Sequence, residues 1–307
     1  ADNDGLLVEN SAKEGWLVTS AYDGHLERYR ISKVCQNHLG AQLGKFTVGD
    51  DEYYGRYDQG YVVRGYYRGS DGTVIVANND GVIYKTLNGI DIHPDYQKGI
   101  NLARVPGDFV IIKASQGITQ NLQQKAFALA DAALSAGKLV GFYHFVDTRY
   151  SAESQAEFFY NIVKKYQGKA VFALDWENND VTGQNNLKAG PVYAKKFLDR
   201  LYQLSGVKAL IYMNRSAVNS YNWGSVANSG YGLWVAQYLN KYYNPSSGTP
   251  GYVSDPTIAS GGFGAWGSKP TMYQYTSTGT LSGWNGQLDL NIFYGPASEW
   301  RKLASKA

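Results

Sequence analysis

The sequence predicts a mixed α/β fold, in which a small, mostly antiparallel β module precedes a TIM-like (β/α) barrel with a helix-poor second half. Short alternating segments separated by Asp-Gly pairs fill the first part of the chain. After residue 87, apolar strands alternate with helical segments, which is typical of βα units around a parallel sheet. The predicted domains are therefore residues 1–85 and 87–307, and a hydrophobic content of 44% fits a folded protein.

The first domain is expected to consist of β-hairpins. Asp-Gly pairs stand at residues 23–24, 71–72 and 80–81, and such pairs favour tight turns between antiparallel strands. Only Ile31–Leu43 has a pattern compatible with a short helix.

The barrel is expected to contain eight strands. Each one is a short apolar run of strand length, bounded by polar or turn-forming residues. In chain order the predicted strands are Gly89–His93, Phe109–Ser115, Leu139–Phe145, Ala170–Glu177, Ala209–Asn214, Leu233–Tyr238, Met272–Thr276 and Leu288–Phe293.

Helices are expected between the early strands, at Leu122–Ala136, Ala152–Tyr166 and Val192–Leu204. Gly137 would follow the first helix at the position that favours glycine, Ser151 would cap the second, and Pro191 would begin the third. The helical signal fades later in the chain. Residues 240–270 are rich in Gly, Ser and Pro and too long for an ordinary connection, so we expect a functional loop over the site.

The composition argues against several classes of function. The net charge is only +3 and no dense Lys/Arg cluster occurs, so no nucleic-acid partner is expected. No apolar run approaches the roughly 18 residues of a membrane span. One cysteine, Cys35, and four histidines leave little basis for a disulfide, a metal site or another cofactor. A serine triad lacks its Gly-x-Ser-x-Gly motif. We expect a monomer.

The strand Ala170–Glu177 runs into two carboxylates, Asp175 and Glu177. Residues i and i+2 of a strand project from the same face, so both carboxyls are expected on one side of the sheet. A buried carboxylate is costly without a partner or a function. The pattern is therefore compatible with the acid of a glycosidase, or with a structural ion pair in which Glu177 faces Lys113.

Other strand ends carry carboxylates, amides and aromatic rings, the side chains that suit a neutral sugar polymer. Aromatic faces stack on pyranose rings, and amides bind hydroxyl and N-acetyl groups. The candidates are Asp91, His93, Tyr143, His144, Tyr212, Asn214, Trp234, Gln237, Tyr238, Gln274, Tyr275, Asp289 and Asn291.

Seven motifs lie in the order and spacing of glycoside hydrolase family 25, which the chain resembles from about residue 87 to its end. The motifs are Gly89-Ile-Asp-Ile, Phe109-Val-Ile-Ile-Lys-Ala-Ser, Gly141-Phe-Tyr-His-Phe, Leu174-Asp-Trp-Glu, Leu233-Trp-Val-Ala-Gln-Tyr, Gln274-Tyr and Leu288-Asp-Leu-Asn. This family consists of lysozymes, more narrowly N-acetylmuramidases, found as phage endolysins and bacterial autolysins. The resemblance implies hydrolysis of the β-1,4 bond from N-acetylmuramic acid to N-acetylglucosamine in peptidoglycan.

The predicted catalytic residues are Glu177, Asp175, Asp91 and Asp289. Glu177 would be the general acid/base, its pKa raised by burial and by Asp175 and Asp289. Asp175 would stay ionised, and the resemblance implies that it orients the substrate's N-acetyl group or stabilises oxocarbenium-like charge. Asp91 and Asp289 would bind substrate hydroxyls or set the electrostatics of the site. The alternative is that they form structural hydrogen bonds with each other at the barrel seam. Retention or inversion stays open.

The predicted substrate contacts are Tyr143, His144, Tyr212, Asn214, Trp234, Gln237, Tyr238, Gln274, Tyr275 and Gln116. His144 is included as a contact only, because a histidine on an apolar strand is more often structural. Gln116 departs from the family, which often has an acidic residue there. The expected effect is on substrate contacts or on pH dependence.

Two alternatives remain open. A family 18 chitinase also ends a strand in Asp-x-Glu, but its longer acidic signature would require an aspartate at Ala173. An inactive barrel could instead serve as a carbohydrate-binding protein. Peptidoglycan is the expected partner, and the expected location is extracellular or in the cell wall, after secretion or phage lysis.

The first domain is expected to bind the cell wall. Its candidate contacts are Trp16, Tyr22, Tyr53, Tyr54, Tyr66 and Tyr67. For any one of these aromatic residues, the alternative is that it helps to form the small core of the domain.

Overall fold

The chain divides into two compact units, Ala1–Lys85 and Thr86–Ala307, in the computed structural model. Each unit has its own hydrogen-bonded sheets. The structure describes residues 15–20, 26–31, 41–48, 51–57, 60–68, 70, 74–77, 81–83, 86–253, 256–258, 260–268 and 270–306.

Within its described residues, the first unit consists of antiparallel strand pairs, as predicted. The pairs are β1 (Gly15–Ser20) with β2 (Leu26–Ile31), β3 (Gly44–Val48) with β4 (Asp51–Gly55), and β5 (Gly65–Arg68) with β6 (Val74–Ala77). The helix predicted over Ile31–Leu43 falls largely outside the described residues. So do the three Asp-Gly pairs, apart from Gly81.

Aromatic side chains form the small cores of this unit. Tyr53 stacks on Phe46 with ring centroids 5.6 Å apart, and Tyr54 packs against the half-buried Tyr67. Both Tyr53 and Tyr54 are at most 6% exposed, so they are packing residues rather than free contacts. The side chains of Trp16, Tyr22 and Tyr66 lie outside the described residues.

The second unit is a closed barrel of eight strands with two short additional strands. Its strands are β7 (Leu87–Ile92), β8 (Phe109–Gln116), β9 (Gln120–Asn121), β10 (Leu139–Phe145), β11 (Ala170–Asp175), β12 (Leu210–Asn214), β13 (Gly232–Ala236), β14 (Thr249–Pro250), β15 (Met272–Thr280) and β16 (Leu288–Phe293). The order around the barrel is β7, β8, β10, β11, β12, β13, β15 and β16, and β16 pairs with β7. The predicted fold class is confirmed.

The helices follow the predicted pattern and become short after β12. They are α1 (Gln123–Ser135), α2 (Ala152–Val163), α3 (Gly190–Ser205), α4 (Arg215–Ser220), α5 (Gly224–Ala227) and α6 (Ala297–Ala304). Ser151 caps α2 by accepting a hydrogen bond from the Ser154 amide, and Gly137 has a φ of 77° after α1. In the part of the chain described, no helix is long and apolar enough to cross a membrane.

One strand corrects the expectation of a parallel sheet. β16 runs antiparallel to both of its neighbours, β15 and β7. Its N-terminal end therefore lies beside the C-terminal end of β7, and Asp289 pairs directly with Asp91. Asp289 reaches the same end of the barrel as the other candidate acids because its strand is reversed.

Alternation along the strands separates two apolar layers. One set of side chains packs between the sheet and the helices, and the other fills the barrel interior. At one end of the interior, Trp300 from α6 contacts Phe109 and Phe293 with ring centroids 4.6 and 5.3 Å away. The short C-terminal helix thus closes the barrel with a fully buried indole ring.

Trp300→Ala should destabilise the barrel by about 3–5 kcal/mol, because it removes a fully buried ring and leaves a cavity against Phe109. The free energy of unfolding in urea measures this loss. Lys302→Ala, an exposed position on the same helix, should cost less than about 1 kcal/mol. Equal losses in the two variants would contradict the role of Trp300.

Candidate active site

Nine of the predicted residues surround an inner cavity of about 230 Å³ at the mouth of the barrel. They come from seven strand ends, which the closed sheet brings together. The lining residues are Asp91, Tyr143, Asp175, Glu177, Tyr212, Trp234, Tyr238, Gln274 and Asp289.

A second, outer cavity of about 390 Å³ shares four of these residues, so both belong to one cleft. The shared side chains are Tyr143, Asp175, Glu177 and Asp289. The outer cavity adds His93, Tyr96, Gln97, Lys113, Gln116, Gln120, Phe145, Asn179, Val181 and Thr182.

Asp175 and Glu177 face the cleft together, as their spacing predicts. Asp175 is the last residue of β11, and Glu177 follows it by two positions. The intervening Trp176 points to the opposite side, where its ring packs near Tyr193 and Trp223. Both carboxyls therefore line both cavities.

Glu177 holds its proton more tightly than an ordinary glutamate. Burial raises the pKa of its carboxyl to about 7, and the charges of Asp91 and Asp180 act in the same direction. The predicted effect of burial is present, but the neighbouring charges that raise the pKa are those of Asp91 and Asp180 rather than those of Asp175 and Asp289. The nearby charge of Lys113 opposes the shift without an ion pair, because the Lys113 ammonium donates to Gln116 instead. The alternative of a structural Glu177–Lys113 pair is therefore wrong.

Asp175 has a buried oxygen that lacks a partner. Its Oδ1 atom accepts no hydrogen bond from the residues that the structure describes. Burial raises the pKa of Asp175 well above its usual range, and the charge of Glu177 adds to this effect. The charge of Lys113 opposes both effects and favours the ionised form that the sequence analysis expects.

Asp91 is held by two side-chain amides. Its Oδ2 atom accepts hydrogen bonds from Gln274 Nε2 and Asn291 Nδ2, each at 2.7 Å. These donors stabilise the carboxylate, but burial outweighs them and raises the pKa of Asp91 to about 6. Burial also raises the pKa of Asp289, and the charge of Asp91 adds to this shift. The carboxyls of Asp91 and Asp289 are neighbours rather than a closed structural pair.

The amides that hold Asp91 are themselves held by aromatic side chains. Gln274 Oε1 accepts hydrogen bonds from the hydroxyls of Tyr212, at 2.9 Å, and Tyr238. Asn291 Oδ1 accepts one from the Trp234 indole nitrogen at 2.8 Å. This network fixes both amide orientations, so the donors point towards Asp91, and the three aromatic residues line the inner cavity.

Four predicted substrate contacts lie elsewhere, which corrects that part of the prediction. Asn214 is exposed and caps α4, where its side chain accepts from the Ala217 amide at 2.9 Å. Gln237 accepts from Arg215 at 3.0 Å and lines neither cavity. Tyr275 points away from the interior because it alternates with Gln274, and its hydroxyl accepts from the Val253 amide.

His144 is the fourth, and it lies between the sheet and the helices. Its Nε2 atom donates to Gln155 Oε1 at 3.1 Å, which leaves Nδ1 to accept from the Ser115 hydroxyl at 2.9 Å. Its ring packs against Phe159 and Phe197. Burial lowers the pKa of His144 to about 4, so it is a neutral structural histidine.

The outer cavity includes residues that the motifs left out. Tyr96 and Gln97 follow β7, while Asn179 and Val181 follow β11 in the loop after Glu177. His93 stacks on Tyr96 with centroids 4.3 Å apart. His93 is one of the strand-end candidates of the sequence analysis, whereas the loop residues carry no periodic signal.

The segment 240–270 does not have the position predicted for it. None of its described residues lines either cavity. It packs beside β15 instead, where Thr249 and Pro250 form β14. Among its described residues, Tyr243 approaches the site by stacking on Tyr238, with ring centroids 5.7 Å apart.

The described residues contain no group of three or more His, Cys, Asp or Glu side chains arranged to hold a metal ion. The four carboxyls of the cleft instead keep raised pKa values through burial and mutual repulsion. Protonated and ionised carboxyls beside aromatic and amide groups are what acid–base cleavage of a glycosidic bond requires.

A barrel with this site is of the glycoside hydrolase class. The model of the family described as Glycosyl hydrolases family 25 matches residues 89–284, more than half of the chain. The chain therefore belongs to glycosyl hydrolases family 25, and the resemblance drawn from its motifs is confirmed.

Individual relatives agree with this family. An autolytic lysozyme of Clostridium acetobutylicum is 27% identical over 212 residues, which span 69% of this chain and 54% of that protein. The chain thus spans about half the length of this curated relative. A bacterial lysozyme structure from Streptomyces coelicolor has a TM-score of 0.52 and 26% identity, and covers 71% of this chain and 96% of its own.

A third comparison reaches into the first unit. The modular autolysin of Streptococcus pneumoniae is 17% identical with a TM-score of 0.52, and the match covers 92% of this chain and 72% of that one. Since the second unit is Thr86–Ala307, a match of this extent includes part of the first unit. At this identity the comparison shows a likeness of fold alone.

The neutral, buried state of His144 should make the fold sensitive to acid. The pKa of His144 is about 4 in the folded chain and near its usual 6.5 after unfolding, so the unfolded state binds the proton first. The contribution of His144 to stability should fall by up to about 3 kcal/mol from pH 6.5 to 4, while the raised pKa values of the cleft carboxyls act in the opposite direction. The difference in the free energy of unfolding in urea between the native chain and His144→Asn should therefore change by this amount across the range. Equal pH dependence in both proteins would contradict this prediction.

Proposed function

We propose that the chain is an N-acetylmuramidase, a lysozyme that cleaves the β-1,4 bond from N-acetylmuramic acid to N-acetylglucosamine in peptidoglycan. The observation that carries this proposal is Glu177, a cleft carboxyl whose pKa of about 7 keeps much of it protonated near neutral pH. Membership of glycosyl hydrolases family 25 and the lysozymes among its relatives support the same substrate.

In the first step, Glu177 donates its proton to the glycosidic oxygen while the bond between that oxygen and the anomeric carbon breaks. The carbonyl oxygen of the substrate's own N-acetyl group attacks the anomeric carbon and forms a cyclic oxazolinium ion. The leaving sugar departs with the proton as a free 4-hydroxyl, and Glu177 is left as a carboxylate.

Asp175 is suited to hold the N-acetyl group during this step. Its buried Oδ1 accepts no hydrogen bond from the residues that the structure describes, and an acetamido N–H would supply a donor. A donated hydrogen bond favours the ionised carboxylate, and the charge of Lys113 acts in the same direction. The ionised Asp175 would then stabilise the positive charge of the ring intermediate.

In the second step, the Glu177 carboxylate takes a proton from water, and the resulting hydroxide oxygen attacks the anomeric carbon. The ring intermediate opens, the N-acetyl group is restored, and Glu177 is again protonated. Two displacements at the same carbon retain its configuration. The product carries a reducing N-acetylmuramic acid end.

The inner cavity supplies the groups that a pyranose ring needs. Trp234 and Tyr212, whose centroids are 4.7 Å apart, provide aromatic surface, and Tyr143 lies across from Trp234. Asp91 and Asp289 can accept hydrogen bonds from sugar hydroxyls. Its volume of about 230 Å³ fits one sugar ring, while the outer cavity extends the binding cleft.

We infer that the first unit binds the cell wall and that the chain works outside the cell or within the wall. Holding the barrel on an insoluble polymer raises the local concentration of substrate. The match to a modular autolysin, which extends into this unit, supports the inference. The burial of Tyr53 and Tyr54 implies that the binding surface uses other side chains.

Glu177→Gln should lower the release of soluble muropeptides from purified peptidoglycan by at least about 100-fold, because the amide cannot donate the required proton. Mass spectrometry of the products gives both the rate and the reducing end. Glu153→Gln makes the same change on the exposed face of α2 and should retain full activity. Reducing N-acetylglucosamine ends would identify a glucosaminidase, and no release by the native chain would favour an inactive binding protein.

Removal of residues 1–85 should weaken sedimentation with cell walls but leave hydrolysis of soluble wall fragments largely intact, because the barrel is a separate compact unit. Thermal unfolding of the shortened chain establishes that the barrel still folds. Unchanged sedimentation would refute the binding role of the first unit.

A further inference from the structure

Lys113 is a buried cation at the edge of the carboxyl cluster. It lies on β8, is 6% exposed, and its ammonium stands 4.7 Å from the centre of the Phe145 ring. The ammonium donates a hydrogen bond to Gln116 Oε1 at 2.8 Å. Lys113 and Gln116 line the outer cavity together with Asp175 and Glu177.

The partner of this cation is neutral. A carboxamide oxygen accepts the hydrogen bond but brings no negative charge, so the full charge of Lys113 acts on its surroundings. Burial lowers the pKa of Lys113, and the charges of Asp175 and Glu177 counteract this by favouring the ammonium form. Conversely, Lys113 lowers the pKa values of both carboxyls.

Most other titratable groups around Lys113 and Glu177 are acids or neutral side chains. Burial lowers the pKa of His93 to about 4, so this ring is neutral at working pH. The groups facing this part of the cleft are Asp91, His93, Tyr143, Asp175, Glu177, Asp180, Tyr212, Tyr238 and Asp289. Among the described residues that line the two cavities, Lys113 is the lysine or arginine that balances the cluster, and the charge of its hydrogen-bond partner at position 116 decides how much of that balance reaches the carboxyls.

We propose that Gln116 gives the Lys113 ammonium a neutral acceptor in place of an anionic partner, leaves the charge of that cation uncancelled beside the catalytic carboxyls, and thereby sets the pH range of the reaction. The inference rests on the proposed function and specifies how that site is regulated. The reaction needs one protonated and one ionised carboxyl at the same pH. The uncancelled charge of Lys113 favours the ionised forms in a site where burial raises the pKa values of both carboxyls.

Gln116→Glu tests the proposal with nearly the same shape. The new carboxylate would pair with Lys113 and cancel its charge, so Glu177 would keep its proton to higher pH. Activity falls as the pH rises through the pKa of the acid, and this alkaline midpoint of kcat/KM should move up by about 0.5–1 pH unit in Gln116→Glu. Gln116→Met removes the hydrogen bond without adding charge and should leave the midpoint within about 0.2 unit of the native one.

A second measurement does not need turnover. In protein labelled with ¹³C at glutamate side chains, the Glu177 carboxyl signal, identified by its loss in Glu177→Gln, reports its titration directly. Its midpoint should rise in Gln116→Glu by the same amount as the kinetic midpoint. Lys113→Met, which removes the cation itself, should raise it in the same direction.

The outcomes separate this inference from the proposed function. If the native chain releases no muropeptides, the proposed function fails, while the carboxyl titration still tests the charge balance. If Gln116→Glu folds and both midpoints stay at their native values, the inference is overturned although the muramidase proposal stands. A shift of equal size in Gln116→Met would also overturn it, because that shift would come from lost packing rather than from charge.

Discussion

The burial of four carboxyl groups at one end of a closed barrel is the constraint on which this structure depends. Charged groups lose favourable hydration when buried, and like charges repel one another. The protein meets this cost partly with hydrogen bonds from Gln274 and Asn291 to Asp91 and partly with one cation, Lys113. The remainder appears as raised pKa values, including the pKa of about 7 of Glu177, the carboxyl that we propose as the general acid.

Strand alternation explains both the successes and the errors of prediction from sequence. Long apolar runs located the eight barrel strands, and the i, i+2 rule correctly placed Asp175 and Glu177 on one face. A strand end alone does not say which face looks inward, so His144 and Tyr275, each adjacent to an inward-facing residue, were both mistaken for substrate contacts. Tyr143 and Gln274 face inward, and side chains alternate along a strand. Counting positions from these two residues would therefore have separated the inward-facing residues from the outward-facing ones.

Other features could not be read from local patterns. The reversal of β16 is a property of how distant segments pair, and nothing in Leu288–Phe293 specifies its direction. The loop residues of the outer cavity, such as Tyr96 and Val181, carry no periodicity and acquire their positions only from the folded barrel. Residues 240–270 do have an unusual composition, and we interpreted it as the sign of a functional loop. In the structure this segment packs beside β15 instead.

The pairing of β16 with β7 also makes the reactive cluster dependent on a complete chain. Asn291 and Asp91 are 200 positions apart, yet the amide of one holds the carboxyl of the other. A ribosome-bound or proteolytically clipped chain that ends before Leu288 contains Asp175 and Glu177 but lacks both Asp289 and the donor from Asn291. The cluster is therefore complete only in a chain that has been made through its last barrel strand, and a shorter chain carries the acids of β11 in an unfinished site.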